Sequence, residues 1–155
     1  MEFKAAQFYE KIFKSQNFWQ NLSVKFLGID FGGRRVGIAV GDLKLKVAVP
    51  VTILKNDAAL FSEIAEICAQ KKIDKIVVGL PLSVRSKENL QSETARNFGK
   101  KLAEEIEIPV EFFDERFSSR ETAQRLKFFG EKKLKMKKDA TAAAVFLQTF
   151  LEKFK

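Results

Sequence analysis

Between residues 24 and 54 the chain repeats one short apolar theme three times: VKFLGID (24–30), RRVGIAVG (34–41) and LKVAVPVTIL (45–54). Each run is rich in Val and Ile, and each is divided from the next by a few residues containing Gly or Asp, which predicts three strands joined as antiparallel hairpins. The period then changes. Leu60, Phe61, Ile64, Ile67 and Cys68 recur at spacings of three and four over residues 57–71, so that stretch reads as an amphipathic helix. DKIVVGL (74–80) is apolar almost without interruption, the pattern of a strand covered on both faces in a parallel sheet. A second helix over 88–106 carries Leu90, Thr94, Phe98 and Leu102 on one side, and Pro109 opens a fifth strand, PVEFF, that runs into DER.

After DER, Ser118 and Glu121 stand in S-x-x-E spacing, a capping box that starts a helix ending near Gly130. Residues 139–154 bear a strong helical stripe, Ala143, Phe146, Leu147, Phe150, Leu151 and Phe154. Three hairpin-linked strands followed by strands alternating with helices predict an α/β fold: a mixed five-stranded sheet with helices on its faces. Residues 1–22 form a segment of their own, with Phe8, Ile12, Phe13, Trp19 and Leu22 interleaved with charge. We expect a helical extension over 1–22 and one compact domain over 23–155, a division that suits a chain of 155 residues.

Composition removes several chemistries. There is no histidine and a single cysteine, Cys68, which sits among apolar neighbours at helical spacing and reads as core filler. Ser-His-Asp and Cys-His nucleophiles, histidine bases and Cys/His zinc sites are thereby excluded. Any catalytic metal must be held by oxygen, which points to Mg²⁺ or Mn²⁺. No run of about 18 uncharged apolar residues occurs, and the N-terminus lacks a signal-peptide apolar centre, so we expect a cytoplasmic protein without a membrane partner. The formal net charge is +8, and residues 116–155 hold eleven Lys/Arg against four acids. A basic face of that kind suits nucleic acid.

Within the first strand lies Asp30, and an ionised carboxylate set among apolar residues needs a partner. Gly32 and Gly33 follow, where the backbone can turn sharply and admit a ligand closely. Asp114 and Glu115 stand where the fifth strand ends, at the edge that borders the ligand crevice of open α/β sheets. Strand alternation sends these two to opposite faces, so one points toward Asp30 and Arg116 pairs with the other. Counting back from Ala143, Phe146 and Leu147 by four, seven and eight residues lands on Asp139, on the apolar stripe of its helix, although an aspartate there also suits an N-cap. Acids converging from three distant places repel one another unless divalent cations lie among them.

GIDFGGRRVGIAVGD, VVGLPL, DERFSSRETAQRL and KKDATAAAVFLQTFLE, taken in this order over residues 24–153, resemble the blocks of the YqgF family, the Holliday-junction-resolvase-like proteins of the ribonuclease H-like superfamily. The resemblance implies a ribonuclease H-like fold and a metal-dependent nuclease that matures the 5′ end of the precursor of 16S ribosomal RNA; some members are regarded as resolvases of branched DNA. Carried onto this chain, the family's acids fall on Asp30, Glu115 and Asp139, with Mg²⁺ or Mn²⁺ as cofactor. Ser118-Ser119 stands where the family often has threonines, which keeps the hydroxyls. Gly79-Leu80-Pro81 reads as a loop shaping the crevice.

Arg34 and Arg35, Arg85 and Lys87, Arg116, Ser118, and Lys137 and Lys138 at the end of KKLKMKK are candidates for a phosphate path to these acids. The expected partner is precursor rRNA or branched DNA. The chain would act as a monomer, or as a homodimer if it resolves symmetric junctions. Two rival readings remain: a non-catalytic RNA-binding assembly factor, and an actin-like ATPase, which needs two copies of the fold where 155 residues hold one.

Overall fold

The computed structural model describes residues 23–81, 89–118, 120, 124 and 138–154, with Lys138 and Asp139 described by backbone alone. The extension 1–22, most of the helix expected over 118–130 with its Glu121, and Arg85, Lys87 and Lys137 lie outside the described residues.

The three Val/Ile-rich runs form β1 (Lys25–Phe31), β2 (Arg35–Asp42) and β3 (Val47–Lys55). They pair antiparallel, Asp30 opposite Gly37 and Val40 opposite Val49, with one register shift at Ile38/Ala39. Helix α1 (Leu60–Lys71) leads into β4 (Lys75–Leu80), and α2 (Leu90–Ile106) leads into β5 (Val110–Asp114). β4 pairs parallel with β1 and with β5, which gives the mixed five-stranded sheet expected from the sequence, in the spatial order β3-β2-β1-β4-β5. A single 3₁₀ turn, Glu115–Phe117, follows β5, and α3 spans Lys138–Leu151.

The helices begin and end for local reasons. Asn89 caps α2 by accepting from the Ser92 amide at 2.9 Å, while the Ser92 hydroxyl accepts from the Asn89 amide at 2.9 Å. Lys72 and Glu107 close α1 and α2 in the left-handed conformation, at φ 54° each.

Period-two alternation divides the strands between two cores. Leu27, Ile29, Ile38, Ile76 and Val78 meet Leu60, Ile64, Phe98 and Leu102 of α1 and α2 on one face. Phe26, Ala39, Val77 and Phe113 meet Ala143, Phe146, Leu147 and Phe150 of α3 on the other. Cys68 is buried in the first core, where burial pushes its thiol up to about 11 and leaves it inert.

Small residues let α3 lie close to the sheet. A Cβ on Gly28 would stand 3.1 Å from Leu147 Cβ and 3.4 Å from the Ala143 carbonyl, and one on Gly41 would stand 2.9 Å from Leu151. Passing along β1 from Phe26, opposite Gly41, through Gly28 toward Asp30, α3 is met in the order Leu151, Leu147, Ala143. The helix therefore runs antiparallel to β1. One further turn, about 5.4 Å along its axis, brings the backbone of Asp139 to the Asp30 end of the strand.

Candidate active site

Asp30 lies near the end of β1 and Glu115 opens the turn after β5, so their strands are separated by β4, roughly 10 Å apart at normal sheet spacing. Their side chains nevertheless meet. Asp30 raises the Glu115 pKa both by its charge and by a carboxyl–carboxylate hydrogen bond. What permits the meeting is Gly79 on the strand between them, which pairs with Phe113. A Cβ there would stand 2.3 Å from Glu115 Oε1 and 2.9 Å from Phe146 Cε1, so the absent side chain is the space the glutamate occupies.

Gly79 and Leu80 are thus the last residues of β4, paired with Phe113 and Asp114. They lie in the strand expected over 74–80; of the stretch Gly79-Leu80-Pro81 also read as a loop shaping the crevice, only Pro81 stands past the strand end, because ladder pairing with β5 continues through Leu80.

Desolvation is the largest influence on Glu115, followed by the charge of Asp30, their shared hydrogen bond and the charge of Asp114. Together they raise its pKa from 4.5 to about 8. Glu115 Oε1 is buried and receives no hydrogen bond among the described residues. The adjacent acid behaves in the opposite way. Asp114 accepts the Arg116 amide at 3.0 Å and both carboxylate oxygens take the Arg116 guanidinium, Nε at 3.0 and 2.9 Å, which holds its pKa below the usual carboxylate range. The expected division of labour at the end of β5 is observed: one acid faces Asp30 and its neighbour is neutralised by Arg116.

The β1–β2 hairpin brings two arginines beside Asp30. Asp30, Gly32, Gly33, Arg34 and Arg35 line one cleft of about 230 Å³. Gly32 is required by space, since a Cβ would stand 2.5 Å from the Arg35 carbonyl; a Cβ on Gly33 would meet nothing within 4 Å, and neither glycine has a positive φ.

Asn56, just beyond β3, clamps this hairpin. Its Nδ2 donates to the Gly32 carbonyl at 3.0 Å and the Gly33 carbonyl at 3.4 Å, and its amide donates to the Arg34 carbonyl at 3.0 Å. Sequence reasoning missed both Asn56 and the role of Gly79. A glycine inside an otherwise apolar strand was the available signal for Gly79; a lone Asn after a strand offered none.

Of the remaining candidates, Arg116 is engaged by Asp114 and Ser118 has a buried Oγ without a partner. Asp139 and Lys138 start α3, and their side chains lie outside the described residues. No group of three acids able to hold a metal occurs among the described residues, a set that excludes the Asp139 side chain.

A mixed sheet in the order 3-2-1-4-5, with a helix crossing the face where two strand-end carboxylates meet, defines a ribonuclease H-like α/β protein. Consistent with that class, the structure resembles Thermus thermophilus RuvC, with a TM-score of 0.58 and 14% identity, covering 81% of this chain and 92% of the other. The chain belongs to the family described as RuvX: Holliday junction resolvase, whose model matches residues 24–153. Among curated relatives, a protein of Maridesulfovibrio salexigens named "Putative pre-16S rRNA nuclease" is 37% identical over 132 residues, 83% of this chain and 98% of its own. A protein of the same name from Chloroflexus aggregans is 35% identical, over 81% of this chain and 92% of its own.

Proposed function

We propose that this protein is a cytoplasmic nuclease that hydrolyses phosphodiester bonds in precursor 16S rRNA, at its 5′ end, with Asp30, Glu115 and Asp139 as the catalytic acids. The observation that carries the proposal is the buried Glu115 carboxylate, pressed against Asp30 over the gap left by Gly79, with no donor to its Oε1. A surface ion pair or a plain strand-end turn needs neither the glycine nor the undonated oxygen. The names of the relatives supply the substrate class.

The undonated Glu115 oxygen, set beside the charge of Asp30, fits a hard divalent cation, and the donor set is all oxygen. Asp30 and Glu115 would hold Mg²⁺ or Mn²⁺, with Asp139 as the third acid. When bound, such an ion supplies an acidified water and charge stabilisation for the leaving oxygen.

The chain's own groups have separate duties. Asp30 and Glu115 keep negative charge fixed at the strand ends, and Arg34 and Arg35 on the hairpin draw the phosphate backbone into the cleft beside Asp30. Asn56 holds that hairpin in register. Arg116 orients Asp114 away from the reacting acids. Arg85, Lys87, Ser118, Lys137 and Lys138 extend the phosphate contacts in this reading.

The family description favours a second substrate, branched DNA. The test is cleavage of a precursor 16S rRNA and a four-way DNA junction side by side with Mg²⁺ or Mn²⁺, using Asp30→Asn as control. Cleavage of the RNA alone, abolished in the variant, is expected. Cleavage of the junction alone would transfer the reading to resolvase, and cleavage undiminished in Asp30→Asn would end it.

A further inference from the structure

Phe117 is the third residue of the turn that begins at Glu115, and it is 60% exposed, whereas Phe113, Phe146 and Phe150 of the adjacent core are almost wholly covered. One exposed ring is ordinary on a protein surface; this one is marked out by its surroundings. Lys153 Nζ stands 5.1 Å from the Phe117 ring centroid and 4.5 Å from that of Phe113, and the Arg116 guanidinium stands 5.9 Å from Phe117. Arg116 is paired with Asp114, and Lys153, whose charge also acts on Asp114, places a second cation against the ring. The exposed ring stands two residues from Glu115, which is at most about 7 Å along the backbone.

Resting on the nuclease reading above, we infer that Phe117 is a stacking platform for an unpaired nucleobase beside the scissile phosphate, with Lys153 contacting the neighbouring phosphate. An aromatic face takes any base, while a cation against the same ring tracks the backbone; together they select single-stranded over duplex nucleic acid. Residues of the hairpin would then grip phosphates on one side of the acids, and Phe117 would hold a base on the other. The substrate class this specifies is a single strand with an unstacked base at the cut, which under the nuclease reading is a precursor RNA.

The experiment is equilibrium binding of a labelled single-stranded RNA oligonucleotide, and of the same sequence as a duplex, to the full chain in EDTA. Variants are Phe117→Leu and Phe117→Trp, with thermal melts matched to the parent. Phe117→Leu should weaken single-strand binding about fivefold or more and leave duplex binding unchanged, and Phe117→Trp should retain the parent affinity. Undiminished single-strand binding by Phe117→Leu, or equal losses on strand and duplex, would overturn the inference. Because binding is read without metal or turnover, the outcomes separate. Selective loss in a protein that never cleaves leaves the platform standing and sinks only the nuclease reading; undiminished binding in an active nuclease does the reverse.

Discussion

In metal-free protein the Asp30–Glu115 contact should be a measurable source of instability, and Glu115→Gln isolates it. Burial, the charge of Asp30 and the shared hydrogen bond raise the Glu115 pKa from 4.5 to about 8. The folded chain therefore holds a proton over a range in which the unfolded chain has released it. Stability from this group is complete below the unfolded value, declines as pH rises from about 4.5 to about 8, and is level beyond. At about 1.4 kcal/mol per pKa unit, the decline amounts to a few kcal/mol. Glutamine keeps the shape and cannot ionise.

In EDTA at about pH 8.5 the variant should melt roughly 10–20 °C above the parent, with the difference vanishing near pH 5, given about 2–4 °C per kcal/mol for a chain of this size. Asp30→Asn should recover part of the same gain, since Asp30 contributes the second and third causes of the shift. The assay is Tm by circular dichroism against pH. Parallel Tm curves for parent and Glu115→Gln, or a parent that is the more stable at alkaline pH, would refute the arrangement of the two carboxylates.

Gly79→Ala places a Cβ on Glu115 Oε1 and Phe146 and should cost about 1–3 kcal/mol, with a larger loss of cleavage, about 100-fold for a displacement near 1 Å; Gly33→Ala, with open space around it, should change Tm little, and equal behaviour of the two would contradict the packing. Asn56→Ala removes donors to two hairpin carbonyls and should cost about 1–2 kcal/mol while raising KM more than it lowers kcat, since the hairpin carries Arg34 and Arg35; an unchanged KM in steady-state cleavage would count against the clamp. Binding of single-stranded RNA should fall steeply with salt, and Arg34→Ala should lower the slope of log K against log salt by about 0.7; a slope that the substitution leaves alone would remove Arg34 from the phosphate path.

Element by element, the local pattern was sufficient for much of this. Hydrophobic periodicity places all five strands and three helices within a few residues of where they lie, because period two and period 3.6 are properties of single segments and need no partner. Alternation also decides that Asp114 and Glu115 part company, and composition alone reduces the metal chemistry to oxygen ligands. The resemblance of four ordered blocks then singles out Asp30, Glu115 and Asp139.

Tertiary structure decided the rest. That Asp30 and Glu115 touch depends on β4 lying between β1 and β5 and on that strand carrying no side chain at the row where they cross, a coincidence of three segments that no one of them encodes. That Gly79 stands against Glu115 depends on β5 pairing beside β4, and that Asn56 guards the hairpin depends on β3 returning beside β2. The exposure of Phe117 likewise follows from the direction of a single 3₁₀ turn. Periodicity is a local quantity; distance between residues far apart in the chain is fixed only when the sheet closes its register.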